Sequence, residues 1–196
     1  MGDLKSLISQ FRVVLSSDTK PLFHNIRSTI YSVSEDVVAK VYHEVYPDNF
    51  LIDKRGSKNE YDMGIFMFEK GVSVPKMYGL VSPDFLLSRP FIKLSSKSII
   101  KNWVNFMQRI YGIDLRKLDG PKLEEAKILW KIELEKILDL GYCPLDSEDY
   151  NVMFDEEKGK VFLIDLVAWR KGSPKELDRL YKKLKNGTNM SVPINF

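Results

Sequence analysis

Cysteine and histidine are scarce in this 196-residue chain, which contains one cysteine and two histidines. The single cysteine, Cys143, excludes an internal disulfide, and two scattered histidines do not make a zinc site. No apolar run approaches the roughly 18 residues that a membrane-spanning helix needs. Asp3 and Lys5 interrupt the N-terminus, which therefore does not resemble a signal peptide. These absences favour an intracellular protein, which we place in the cytoplasm, with no membrane partner.

The chain also lacks a large excess of positive or of negative charge. The chain has 30 Lys and Arg residues against 27 Asp and Glu residues, for a net charge of +3. That charge is too small to indicate nucleic acid binding by itself, and only a clustered basic patch would do so. Hydrophobic residues at 44% and charged residues at 29% are ordinary for a globular protein. The length allows one good-sized core or two small lobes that share a cleft.

The first half of the chain has mostly strand patterns. β-Branched and aromatic side chains are concentrated in four segments, residues 26–33, 37–42, 72–81 and 85–94. The turn-prone pair Glu35-Asp36 joins the first two segments, which predicts a β-hairpin. Residues Ser57 to Glu60 match a capping box, so a helix is predicted from Ser57 to Lys70, with Gly71 as its left-handed stop.

The second half has mostly helical patterns, beginning with residues 99–110. A long amphipathic helix ending at Gly141 is predicted next, because apolar residues recur at three- and four-residue spacing. Its apolar stripe consists of Leu123, Ala126, Trp130, Leu134, Ile137 and Leu138. A short hairpin with strands 151–154 and 161–165 should follow, and then a last helix over residues 174–185.

A strand-rich half with one helix, followed by a helical half with one hairpin, predicts an α+β fold of two lobes. We expect the first lobe to span residues 1–94 and the second, a reduced helical lobe, to span residues 95–196. The join should fall near residues 93–97. A cleft between two such lobes is a usual place for a ligand.

Lys40 and Glu60 are the first candidates for chemistry. Lys40 lies within the apolar segment VVAKVY, where it is compatible either with an edge-strand lysine that faces solvent or with a cation set to meet phosphate oxygens. Glu60 is compatible either with the capping box or with an ion pair that holds Lys40 toward phosphates. Glu69 is a rival partner for Lys40, although it lies close to the predicted helix end.

Asp146, Asn151 and Asp165 form a more specific group. Asp146 and Asn151 make the pattern D-x-x-x-x-N directly after the long helix, and Asp165 ends the second strand of the predicted hairpin. Magnesium prefers hard oxygen ligands, and phosphoryl-transfer sites combine a carboxylate, an amide and the phosphates of the nucleotide. A further acid can accept the proton of the attacking hydroxyl. Taken singly, each of the three is also compatible with a cap, a turn or a strand end.

These segments resemble the protein-kinase-like superfamily, in particular its small atypical members, the RIO-type kinases and the minimal kinase of the KEOPS tRNA-modification complex. The similar elements are VVAKVY, NEYDMGIFMFEKGVSVPKMYGL and GYCPLDSEDYNVMFDEEKGKVFLIDLV, which span most of the chain. The resemblance implies that Lys40 binds phosphate and Glu60 is its acid partner. It implies that Asp146 is the catalytic-loop aspartate, and that Asn151 and Asp165 are magnesium ligands.

The resemblance also implies ATP and Mg²⁺ as cofactors, with adenine at a hinge over residues 87–92 that includes Ser88 and Phe91. The chain departs from the family in its phosphate-covering loop, residues 25–29, which has no glycine, although Ser28 could bond a phosphate. Asp165 is followed by Leu166-Val167 rather than Phe-Gly. Only about thirty residues follow Asp165, too few for an activation segment, a shortness that the small atypical kinases share.

Two functions follow as expectations. The first is an ATP- and magnesium-dependent protein kinase, acting on serine or threonine, on itself, or as an ATPase. The alternative is a pseudokinase or partner-binding scaffold, favoured by the missing glycines and the altered Asp-Leu-Val. A small-molecule kinase is a third alternative, but the acceptor-binding insertions of those enzymes have no room here.

The C-terminal stretch 170–185 is basic. Its cations are Arg170, Lys171, Lys175, Arg179, Lys182, Lys183 and Lys185. Such a run is compatible with the solvated face of a surface helix, with Leu177, Leu180, Tyr181 and Leu184 buried. It is also compatible with a docking patch for RNA or an acidic protein, beside a protein substrate or partner complex elsewhere. Cys143 is expected to be a small buried hydrophobe rather than a nucleophile.

Overall fold

The computed structural model describes residues 3–17, 19–24, 28–42, 54–82 and 103–186. The helices in these ranges are α1 (Leu4–Ser16), α2 (Lys54–Glu69), α3 (Gly120–Asp139) and α4 (Pro174–Lys185). The strands are β1 (Phe23–His24), β2 (Ser28–Ser32), β3 (Val37–Tyr42), β4 (Met77–Val81), β5 (Val104–Gln108), β6 (Ile113–Asp114), β7 (Tyr142–Cys143), β8 (Val152–Asp155), β9 (Lys160–Leu163) and β10 (Arg170–Lys171). The predicted α+β class is confirmed.

The chain divides into two compact units, and the division falls within α2. The first unit consists of Met1–Tyr61 and Lys76–Arg109, and the second consists of Asp62–Pro75 and Ile110–Phe196. The boundary predicted between residues 94 and 95, and the join at 93–97, lie outside the described residues. The two-lobe division predicted at that point stays a prediction.

An antiparallel five-stranded sheet organises the first unit, in the order β1-β2-β3-β5-β4. The predicted hairpin is present as β2 and β3, paired so that Ile30 lies opposite Lys40. Because β3 lies between β2 and β5, both of its edges are hydrogen-bonded and all six of its residues are buried. A central strand of this kind holds its side chains in fixed positions on both faces of the sheet.

Helix α1, which the sequence patterns did not predict, covers one face of this sheet. Asp3 caps it by accepting a hydrogen bond from the backbone N–H of Ser6 at 2.8 Å. Its apolar stripe packs on Val37, Ala39 and Val41 and consists of Leu7, Ile8, Phe11 and Leu15. Since side chains alternate along a strand, Val38, Lys40 and Tyr42 point to the opposite face.

The second unit is built around α3, α4 and two small sheets, β6-β8-β9 and β7-β10. Helix α3 begins at Gly120, with Pro121 in its first turn, and ends at Asp139, close to the end predicted at Gly141, whose φ of 81° is left-handed. Helix α4 has the bounds predicted from the sequence, and a capping box between Ser173 and Glu176 fixes its start. Leu180 and Leu184 are the buried part of its apolar face.

Two predicted elements are wrong. Helix α2 begins at Lys54, so Ser57 and Glu60 lie inside it and do not form a capping box. Within the predicted helix over residues 99–110, the described part forms strand β5 instead. β5 is buried between β3 and β4, and such a strand cannot be told from a buried helix by periodicity alone. The strand predicted over residues 85–94 lies outside the described residues.

Candidate functional site

Lys40 is buried in the middle of the first unit's sheet, with a relative exposure of 6%. The edge-strand interpretation of this residue is therefore wrong. Its Nζ lies 2.8 Å from Oε1 of Glu60, and 5.0 Å from the centroid of the Tyr42 ring. The pair predicted from the order of the sequence is formed, and the cation also lies over an aromatic face.

Glu60 reaches Lys40 because α2 begins one turn earlier than predicted. Its position inside the helix frees the side chain from the capping role and directs it to β3. With 1% relative exposure it is as buried as a core leucine. A buried carboxylate needs a partner for each oxygen, and Lys40 satisfies only Oε1. Glu69, the rival partner, is exposed at the end of α2.

Asn105 supplies the second partner, and the sequence patterns missed it. It lies on β5 directly opposite Lys40 in the strand register. Its Nδ2 donates to Oε2 of Glu60 at 3.2 Å and to the backbone oxygen of Ser57 at 3.1 Å. The sequence pattern of residues 99–110 predicts a helix, in which Asn105 would lie away from the sheet, whereas in the structure β5 places it opposite Lys40.

The second group of predicted residues lies around the β8–β9 hairpin in the second unit. Asn151 is buried, and its Nδ2 donates to the backbone oxygen of Asp146 at 2.7 Å. The backbone N–H of Ile164 donates to the backbone oxygen of Asn151 at 2.9 Å, which brings Asp165 next to this loop along the chain. Asp146 and Asn151 are therefore in direct contact, and Asp165 follows the residue that pairs with Asn151.

Asp146 and Asp165 share an unusual backbone conformation. Among the described residues they are the only ones other than glycine with a positive φ, at 57° and 64°. Such left-handed conformations are uncommon for side-chain-bearing residues and cost about 1–3 kcal/mol. They are concentrated at active sites, where a fixed side-chain direction has a use. Both strained positions coincide with aspartates that the sequence predicted as site residues.

Tyr150 is a second residue that the sequence patterns missed. Its hydroxyl donates to Oδ1 of Asp146 at 2.6 Å. The guanidinium of Arg116 lies 5.5 Å from the centroid of the Tyr150 ring and is itself held by the carboxylate of Asp114. The hydrogen bonds from Arg116 hold the pKa of the Asp114 carboxyl below its usual value, although partial desolvation opposes them. Tyr150, itself within the D-x-x-x-x-N pattern, thus orients the Asp146 carboxylate, and Arg116 contacts the Tyr150 ring from outside the pattern.

The other predicted positions are less informative. Ser28 is buried on β2, opposite Tyr42. Residues 25–27 of the predicted phosphate loop, and Ser88 and Phe91 of the predicted hinge, lie outside the described residues. Cys143 is buried, and burial raises the pKa of its thiol, with Glu176 adding to the shift. A raised pKa and no solvent access agree with an inert cysteine.

The described ranges contain no group of three or more His, Cys, Asp or Glu side chains placed to hold a metal ion. They also contain no helix that is long and apolar enough to cross a bilayer.

No protein-family model and no curated protein sequence matches the chain. Several solved structures, however, are similar to it in fold. A co-crystal structure of WbdD with the kinase inhibitor LY294002 has a TM-score of 0.57 at 14% identity, over 88% of this chain and 38% of that chain. The Rio2 kinase–ADP/Mg²⁺–phosphoaspartate complex from Chaetomium thermophilum has a TM-score of 0.55 at 14% identity, over 91% and 56%.

The chain has a kinase-like fold. A 2.2 Å structure of WbdD agrees, with a TM-score of 0.55 at 15% identity over 91% of this chain and 40% of the other. The chain spans between about two fifths and just over half of the length of these solved chains. Similarity at such identities shows the fold, and it confirms the resemblance at the level of a kinase-like fold. The assignment to RIO-type or KEOPS kinases stays a prediction.

Proposed function

We propose that the chain is a small atypical protein kinase, which uses ATP and magnesium to phosphorylate a serine or threonine hydroxyl, on itself or on a partner protein. The observation that carries this proposal is the buried ion pair between Lys40 and Glu60. Such pairs contribute little to stability, because apolar residues of similar size often serve as well or better. A role for Lys40 toward an anionic ligand explains the pair better than stability does.

In this function Lys40 binds phosphate oxygens of ATP and Glu60 holds the ammonium group in place. The backbone of Lys40 is fixed because its strand is hydrogen-bonded on both edges, and burial and the contact with Glu60 restrict its side chain. The cation is therefore positioned before the ligand arrives, which lowers the entropy cost of binding. Phosphoryl transfer depends mostly on such positioning and on charge neutralisation.

Asn151 and Asp165 would hold the magnesium ion. The amide nitrogen of Asn151 is committed to the backbone oxygen of Asp146, which leaves Oδ1 as the atom that a cation would contact. One amide oxygen and one carboxylate fit magnesium, which proteins usually bind through one or two carboxylates together with substrate phosphates. The lack of a complete protein cage in the described ranges agrees with this pattern. When bound, the ion would neutralise phosphate charge.

Asp146 would accept the proton of the acceptor hydroxyl. As the hydroxyl oxygen bonds to the γ-phosphorus, its proton passes to the Asp146 carboxylate and the bond to ADP breaks. Tyr150 occupies Oδ1, so Oδ2 is the oxygen that would receive the proton. If the acceptor is water, the same residues give ATP hydrolysis.

Transfer of label from the γ-phosphate of ATP tests this function. The wild-type protein should transfer label only with magnesium, while Lys40→Met, Asp146→Asn and Asp165→Asn should each lower the rate by about 100-fold or more. Glu69→Gln is the matched control, since it removes an exposed carboxylate from the end of α2 and should leave the rate unchanged. Equal residual activity in wild type and Asp165→Asn would show that the function is wrong.

A non-catalytic scaffold is the second candidate, favoured by the sequence of residues 25–29, which contains no glycine. The basic face of α4 would then be the docking element. Lys175, Arg179 and Lys183 follow one another at four-residue spacing on one open face of α4, which they share with Asp178, Lys182 and Asn186. Glu176 and Asp178 are engaged by Arg170 and Lys182, so the remaining charge is positive. We propose an acidic protein segment as its partner, with RNA as the outcome that would contradict this.

Two measurements separate the candidates. A scaffold without nucleotide predicts no rise in melting temperature at millimolar ATP with magnesium, whereas a kinase that binds ATP is stabilised by mass action. If α4 docks an acidic protein segment, Lys175→Glu with Arg179→Glu should abolish capture of an acidic peptide and change the kinase activity little. The cytoplasmic location and the serine/threonine preference stay predictions.

A further inference from the structure

The side chains of Lys40, Glu60 and Asn105 form a closed polar cluster in the first unit. Their relative exposures are 6%, 1% and 0%. Lys40 donates to Oε1 of Glu60 at 2.8 Å, and Asn105 donates to Oε2 at 3.2 Å. Since β3 carries Lys40 and β5 carries Asn105 at the opposing register position, the sheet holds the carboxylate from two adjacent strands.

Asn105 binds α2 at two points. Nδ2 donates to the side chain of Glu60 at 3.2 Å and to the backbone oxygen of Ser57 at 3.1 Å, and it also lies 3.5 Å from the Tyr42 hydroxyl on β3. The two acceptors on α2 are one helical turn apart, so the amide fixes the rotation of the helix about its axis as well as the Glu60 side chain. Replacing the amide removes one donor from Oε2 of Glu60, and the loss of a hydrogen bond to a buried charged oxygen is unfavourable.

The other end of the same amide is unsatisfied. Oδ1 of Asn105 is buried and has no hydrogen-bond partner within the described residues. A buried acceptor without a donor lowers stability, and leucine, of similar size, would avoid that loss. An asparagine at this position is therefore explained by what Nδ2 does for Glu60 rather than by packing.

We propose that Asn105 is a positioning residue for phosphate binding, which acts on Lys40 through Glu60. It fixes the Glu60 carboxylate so that Oε1 holds the Lys40 ammonium in one orientation. Residues that hydrogen-bond to the ligands of a metal ion change its affinity by about 10–100-fold when they are replaced, and we expect the lower end of that range for a residue that orients Lys40 through Glu60. The inference rests on the proposed function, because it takes ATP as the anion that Lys40 meets.

The experiment is a double-mutant cycle with Asn105→Leu, Glu60→Ala and the double variant, measured as the dissociation constant of ATP with magnesium by calorimetry. Asn105→Leu should weaken binding by roughly tenfold. In the Glu60→Ala variant, Asn105→Leu should raise the dissociation constant of ATP little further, because Asn105 acts on Lys40 only through the Glu60 carboxylate. Phe11→Leu is the matched control: it is also fully buried in the first unit, lies on the other face of the sheet, and should leave the dissociation constant unchanged.

Wild-type affinity in Asn105→Leu, or a loss that adds fully to that of Glu60→Ala, would overturn the inference while the proposed function stands. Absence of ATP binding by the wild-type protein would instead overturn the proposed function. Urea denaturation of the same variants is a readout independent of nucleotide, and it should show non-additive losses for residues 60 and 105. If Asn105→Leu does not fold, Asn105→Ala replaces it, since it removes both the Nδ2 donor and the unsatisfied Oδ1.

Discussion

Breaking the Lys40–Glu60 pair from one side should destabilise the protein far more than replacing both partners. The two charged atoms are 2.8 Å apart, and the side chains are 7% and 2% exposed. At an effective dielectric constant of 20 their attraction is about 6 kcal/mol. Lys40→Met or Glu60→Leu alone leaves a buried charge, and each should lower the free energy of unfolding by about 3–5 kcal/mol.

In the double variant Lys40→Met/Glu60→Leu the free energy of unfolding should fall by only about 1 kcal/mol or not at all, because both charges are removed together. Asn105 keeps two acceptors in the double variant, the backbone oxygen of Ser57 at 3.1 Å and the Tyr42 hydroxyl at 3.5 Å. Urea denaturation of the four proteins measures the coupling as the departure from additivity.

An exposed ion pair in the same chain is the matched control. Lys182 and Asp178 on α4 are 2.6 Å apart but 73% and 64% exposed, so their cycle should give a coupling below about 1 kcal/mol. The reasoning is refuted if the cycle at residues 40 and 60 gives a coupling as small as the exposed pair does. That result would mean that Lys40 reaches solvent in the folded protein.

Three further predictions concern other parts of the molecule. Tyr150→Phe removes only the hydroxyl that donates to Asp146, so steady-state kinetics should show kcat lowered roughly tenfold with the KM for ATP unchanged. Phe11 is fully buried and its ring contacts the rings of Tyr31 and Phe106, so Phe11→Ala leaves a cavity. Urea denaturation should show that the free energy of unfolding falls by about 3–5 kcal/mol. Glu176 accepts hydrogen bonds from Arg170 and Ser173, which lower its pKa from 4.5 to about 2. Its contribution to stability is therefore present above pH 4.5 and lost as the pH falls toward 2; an NMR titration should find this pKa, and Arg170→Met should raise it.

The sequence predicted best those elements whose ends carry their own chemistry. Helix α4 has Ser173 and Glu176 at its start, and Gly141 stops α3, so both could be located from local signals. Strand β5 could not, because a strand buried between two neighbours has no polar face and its pattern matches a helix. The start of α2 was misplaced since Ser57 and Glu60 matched a capping box that the helix does not use.

The candidate site also contains residues that the sequence could predict and residues that it could not. Lys40, Glu60, Asp146 and Asn151 were predicted from residue type and order, and the structure places each pair in contact. Asn105 was missed because its partners are distant in sequence and meet it only when β5 joins the sheet. Likewise, the left-handed backbone at Asp146 and Asp165 could not be predicted from the residue type, because the surrounding fold sets the φ angle.

The account as a whole depends on whether magnesium and ATP bind this chain together at the predicted residues. Calorimetric titration of ATP into the wild-type protein, with magnesium and then with a chelator, measures this directly. We predict binding at least tenfold tighter with magnesium, and loss of that difference in Asp165→Asn. No binding at millimolar ATP, or the same magnesium dependence in both proteins, would contradict the account.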